Sequence, residues 1–124
     1  MMANPLMWME MQNLEKEDVK ALSKLIAVYK TIRNDLANAF IQPIGDRPDG
    51  TKFTGFNASL ENGSGYLLLF KELNEQNSYE YNIDLSGKKL TALYKSTKGI
   101  SASVKGGKLK LNCSTPNEFI LLKY

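Results

Sequence analysis

The stretch IQPIGDRPDGTKFTGF, residues 41–56, is where the chain changes its period. It holds two aspartates three apart, two prolines, three glycines and two phenylalanines. Before it, apolar residues recur every three or four positions; after it, they alternate. Those are the repeats of a helix and of half-buried strands. The stretch therefore reads as a junction between two pieces of architecture rather than as a site.

On the upstream side, Val19, Leu22, Leu25, Ile26, Tyr29, Ile32 and Leu36 form one helical stripe over about residues 15–36. Asn13 is the expected N-cap. Glu15, Glu17 and Asp18 fall in the first turn, and Lys30 and Arg33 near the far end, as the helix dipole favours. Asn34, Asp35 and Asn38 weaken the helix before Phe40.

On the downstream side, turn signals arrive every eight to twelve residues. FIQPI ends at Gly45, and DRPDG is a turn with Pro48 and Gly50 in suitable places. KFTGFNASL and GYLLLFKEL flank Asn62-Gly63, a pair suited to primed hairpin turns. YEYNIDL alternates, with Tyr79, Tyr81, Ile83 and Leu85 on one face. KLTALYKS follows, then ISASVK and KLKLNC around Gly106-Gly107, and finally EFILLKY. The expected fold is mainly β: an N-terminal α-helix, then an antiparallel β-sandwich of about eight strands with Greek-key-like connections. YLLLF is apolar on both faces, so it is expected at the centre of a sheet with a layer on each side.

Composition supports a globular chain: 43% hydrophobic and 23% charged over 124 residues. The net charge of +3 is unevenly placed. Between Leu85 and Asn117 lie Lys88, Lys89, Lys95, Lys98, Lys105, Lys108 and Lys110, with no acid. They are spaced singly among strand residues, without arginine, so a solvated sheet face is expected and no nucleic-acid partner. No run reaches the roughly 20 apolar residues of a membrane span, and no membrane partner is expected. Histidine is absent, which removes Ser–His pairs and histidine-ligated metals. The one cysteine, Cys113, reads as an apolar filler on an inward face.

Two further constellations invite a functional reading. Asp46 and Asp49 could be cast as calcium ligands or as a glycosidase carboxylate pair. Two acids around Arg47-Pro48 fall short of a calcium loop, and an exposed turn offers no cleft, so an Asx-type turn is expected instead. An exposed row from Tyr79, Tyr81 or Tyr94 could stack on sugar, although alternate strand positions favour core packing. No catalytic, cofactor-binding or metal-binding residue is assigned.

NPLMWMEMQNL, LSKLIAVYKTIRNDL, IQPIGDRPDGTKFTGF, GYLLLFKEL and FILLKY together resemble the C-terminal end of bacterial α-galactosidase-like (melibiase-type) glycoside hydrolases. In that family a TIM barrel precedes an antiparallel β-sandwich. The resemblance implies that residues 1–39 are the end of the barrel, its last strand region and last helix, and that 40–124 are the C-terminal sandwich. The apolar start around Trp8 then belongs to a barrel strand, with Trp8 and Glu10 near its substrate-facing end. The family's catalytic aspartates stand on earlier barrel strands. This chain is therefore expected to be inactive alone, an accessory domain stabilising or shaping a catalytic barrel that is its partner. A periplasmic or extracellular location is implied by the family alone. The alternatives are an independent carbohydrate-binding sandwich, or a lipid- or protein-binding domain with the helix over the cavity of a closed barrel.

Overall fold

The computed structural model describes residues 1–2 and 13–124. One helix, α1 (Lys16–Ala37), precedes eight strands: β1 (Phe40–Gly45), β2 (Phe53–Ser59), β3 (Gly65–Lys71), β4 (Ser78–Asp84), β5 (Thr91–Lys95), β6 (Ser101–Lys105), β7 (Lys108–Asn112) and β8 (Glu118–Lys123). They form a five-stranded sheet in the order β1-β2-β3-β8-β5 and a three-stranded sheet in the order β4-β7-β6. All pairings are antiparallel. The chain changes sheet at β3–β4, β4–β5, β5–β6 and β7–β8, so the last strand is inserted between β3 and β5. The mainly-β sandwich read from the alternation is the fold observed. The two sheets are open-edged layers, and α1 lies on the outside of one of them rather than over the cavity of a closed barrel.

The core lies between the sheets. Phe53, Leu67, Leu69, Ile120 and Leu122 of the larger sheet meet Tyr81, Leu109 and Leu111 of the smaller, with Leu85, Ile100 and Cys113 closing the ends. Burying each large apolar side chain contributes about 1.5–3 kcal/mol, so this layer dominates stability. A second cluster lies on the opposite face of the larger sheet, where Ile32 and Leu36 of α1 pack with Ala58, Tyr66, Leu68, Leu121 and Met2. β3 is thus buried on both faces, as YLLLF implied.

Helix α1 differs from expectation at both ends. Glu15, not Asn13, takes the N-cap position, and it makes no side-chain capping bond. Glu17 and Asp18 in the first turn supply the favourable dipole interaction instead. The helix also runs through Asn34 and Asp35 to Ala37, leaving no basic residue in its last turn. Tertiary contacts override propensity here: Leu36 is buried, and the Tyr66 hydroxyl donates to Asp35 Oδ2 at 2.5 Å. The change of period therefore falls at Asn38-Ala39, and residues 41–56 are the first hairpin of the sandwich.

Turn chemistry follows the glycines with one correction. Gly106 and Gly107 both have positive φ (59° and 82°), the primed two-residue turn read from the sequence. At Asn62-Gly63 only Gly63 has positive φ, and its N–H donates to Leu60 O at 3.0 Å. This is a three-residue loop, a type I turn followed by a left-handed glycine. Asn62 keeps negative φ while its side chain accepts from Ser64 N at 3.0 Å and Ser64 Oγ at 2.7 Å.

Gly45 has φ 85°, and a Cβ there would lie 2.5 Å from Phe53 O and 2.8 Å from a ring carbon of Tyr81. Gly87 has φ 72° with nothing within 4 Å. Gly87→Ala is therefore expected to cost about 1–2 kcal/mol from backbone strain alone. Gly45→Ala should cost more than about 3 kcal/mol because strain and clash add. Urea unfolding midpoints of the two variants check the order.

Tyr66 gives a second expectation. Burial, then the hydrogen bond to Asp35 and the charge of Asp35, push its phenol up from 10.0 to about 12. The folded state thus holds a proton that the unfolded state releases first. The stabilisation is intact below pH 10 and is lost as pH rises toward 12. Tyr66→Phe should lower stability near neutral pH by about 1–3 kcal/mol, by stranding Asp35, and should flatten this alkaline decline. Unfolding curves between pH 7 and pH 12 measure both effects.

Candidate functional site

The residues that attracted attention in the sequence do not converge. Asp46 and Asp49 flank the β1–β2 loop. The Tyr79 hydroxyl donates to Asp46 Oδ1 at 2.9 Å. Thr51 donates to Asp49 Oδ1 from both its backbone N–H (2.9 Å) and its hydroxyl (2.8 Å), the Asx-type turn expected there. The Thr51 hydroxyl, then its N–H, hold the Asp49 carboxyl below the ordinary range. Trp8 and Glu10 lie outside the described residues.

The tyrosines do not form an exposed row. Tyr81 is buried in the intersheet core, and its hydroxyl donates to Thr54 O at 3.0 Å. Tyr79 stacks on Phe53, with ring centroids 5.1 Å apart, and meets Tyr81 edge-on at 4.8 Å. Tyr94 stands on the opposite face of the larger sheet and stacks on Phe119 at 5.5 Å. Alternation placed all three correctly as strand residues; packing consumed them. Cys113 is buried at the edge of the core, its thiol donating to Thr115 O at 3.1 Å. All seven lysines between Leu85 and Asn117 are exposed. Lys108 pairs with Glu80 at 2.8 Å, which raises the lysine's pKa.

The outer face of the five-stranded sheet offers more. Helix α1 has 22 residues and so is about 33 Å long, whereas a seven-residue strand spans about 23 Å. The two ends of the helix stand beside different strands. Its first turns, at Glu17, Lys20, Ala21 and Lys24, stand beside Tyr94, Lys95 and Ser96 of the β5 edge. Its last turn is tied to β3 through Asp35 and Tyr66. Ile32 and Leu36 are the buried residues of the helix; Val19, Leu22, Leu25 and Ile26 are half-buried.

A second feature stands where β2, β3 and β8 lie side by side on this face. There a cleft of about 390 Å³ is lined by Thr54, Phe70, Glu72, Asn117, Glu118 and Phe119, together with Lys71. Strand register brings them together: Thr54 pairs with Phe70, and Phe70 with Phe119. The Phe70 and Phe119 rings lie 5.9 Å apart. Phe56, two residues along β2 from Thr54, is 40% exposed. Both carboxylates are held by the chain. Glu72 accepts from Thr54 Oγ1 at 3.2 Å and Lys52 N at 3.0 Å; Glu118 accepts from the Ser96 hydroxyl. Asn117 has φ 57°, a left-handed conformation that asparagine tolerates.

Behind this corner the Lys71 side chain is 1% exposed, and its ammonium donates to Cys113 O at 3.0 Å. Among the described residues no carboxylate lies within 4 Å of it, since the ion pairs present are Lys52–Asp49 and Lys108–Glu80. The sequence reading missed this cluster. Phe70 and Phe119 were visible as strand aromatics, but their adjacency depends on β8 pairing with β3 across about fifty residues.

No family model matches the chain, and no curated protein and no solved structure matches it either.

Proposed function

We propose that the chain is a non-catalytic accessory β-sandwich of an α-galactosidase-like glycoside hydrolase, and that α1 is the surface by which the sandwich packs onto the catalytic barrel. One observation supports this most directly: the apolar stripe of α1 is used only in part. Ile32 and Leu36 are buried against the sheet, whereas Val19, Leu22, Leu25 and Ile26 stay half-buried. A helix whose two ends serve different neighbours suits an element shared between a barrel and a sandwich. The resemblance carried by YKTIRNDL and IQPIGDRPDGTKFTGF supplies the identity of the neighbour.

Two measurements test the reading. Incubating the pure chain with nitrophenyl α- and β-glycosides should give no turnover, and robust hydrolysis would overturn the non-catalytic assignment. Leu22→Ser and Ile26→Ser should each cost the isolated chain less than about 1 kcal/mol, against about 2–5 kcal/mol for Leu36→Ala. Equal losses would show that the whole helix belongs to the sandwich, leaving no face for a barrel.

A further inference from the structure

We infer that the open corner of the five-stranded sheet, with Phe70 and Phe119 as floor and Glu72, Glu118, Thr54 and Asn117 as rim, is a binding site for a neutral polyhydroxylated ring such as a hexopyranoside. This does not rest on the accessory role proposed above, since the cleft is built wholly from strands of the sandwich.

The chemistry selects the ligand class. The floor is aromatic, with Phe70 and Phe119 rings 5.9 Å apart and Tyr94 stacked behind Phe119. Such a floor favours a flat apolar face. The rim consists mainly of hydrogen-bond acceptors, two of them carboxylates already fixed by Thr54, Lys52 N–H and Ser96. Each carboxylate oxygen keeps a lone pair for a ligand hydroxyl, because an ionised carboxylate accepts about four bonds. A ligand with several hydroxyls on one side and C–H bonds on the other meets both requirements.

Charge narrows the choice. Glu72 and Glu118 repel an anion at the mouth. The Lys71 ammonium is turned inward to Cys113 O, away from the mouth. The acceptor rim over an apolar floor favours a hydroxyl-rich ligand, and choline is the control that separates it from a cation. The cleft volume of about 390 Å³ lies in the range of small-ligand sites.

The test is a titration of the ¹⁵N-labelled chain with methyl α-galactopyranoside and methyl α-glucopyranoside, alongside choline and acetate as charged controls. Saturable amide shifts confined to Phe70, Glu72, Glu118 and Phe119, with either glycoside, are expected. Affinities in the millimolar range are enough, given one small ring and few contacts. Glu72→Gln and Glu118→Gln should each weaken binding at least threefold, and Phe119→Ala at least tenfold. If Phe119→Ala fails to fold, because Phe119 also supports Tyr94 and Phe70, the two glutamine variants still decide the matter. Absence of shifts at tens of millimolar glycoside, shifts mapping to β6 and β7 instead, or stronger binding of choline or acetate would each overturn the assignment. Failure here would leave the role of α1 untouched, because that role is read from Leu22 and Ile26.

Discussion

The structure depends on β3 being buried on both faces. Leu67 and Leu69 point to the three-stranded sheet, and Tyr66 and Leu68 point the other way; all four are at most 4% exposed. A strand of this kind cannot sit in a sheet with one wet face, because each exposed leucine would forfeit about 1.5–3 kcal/mol. Two covering layers are therefore required. The smaller sheet supplies one and α1 the other. The bond from Tyr66 to Asp35 fixes where the helix must lie, tying its last turn to the strand that needs it.

The helix then decides what remains open. Anchored at β3 through Asp35, α1 has its first turns beside β5, an edge strand among the described residues. Val19, Leu22, Leu25 and Ile26 in its leading half are half-buried, and Phe70 and Phe119 pack at the margin of the cluster that Ile32 and Leu36 enter. On the other side of the molecule a cleft of about 350 Å³ has a polar lining that includes Glu80, Asp84, Ser86 and Lys108. The outer face of the smaller sheet carries Glu80, Lys108 and Lys110 in register, with Ser101 and Ser103 on the β6 edge. Exposed charge of this kind discourages edge-to-edge pairing and suits solvent.

Most of the fold was legible because its signals are local. Alternation located every strand, and the paired glycines at 106 and 107 dictated a primed turn. Gly45 is the same kind of signal, since its conformation and the approach of Phe53 O both exclude a side chain. Asn62 shows the limit of such reading. Its side chain found Ser64, a partner that dipeptide statistics do not contain, and the turn type changed with it. The candidate site was much less legible. Lys71 reads as a surface lysine, yet the alternation that buries Leu67 and Leu69 also turns residue 71 inward. Glu72 and Glu118 lie at the ends of strands that only the crossing of β7 to β8 brings together. Periodicity assigns a residue to a face, whereas a site needs the order of the strands, and that order is set by core packing over the whole chain.

The first turns of α1 and the cleft are joined by packing on one face of the larger sheet. The Tyr94–Phe119 stack joins the two regions directly, with one ring beside the leading turns of the helix and the other in the floor of the cleft. Ring pairs of this kind prefer a narrow set of offsets. The leading turns of the helix and the aromatic rings of the cleft are therefore parts of one packed face.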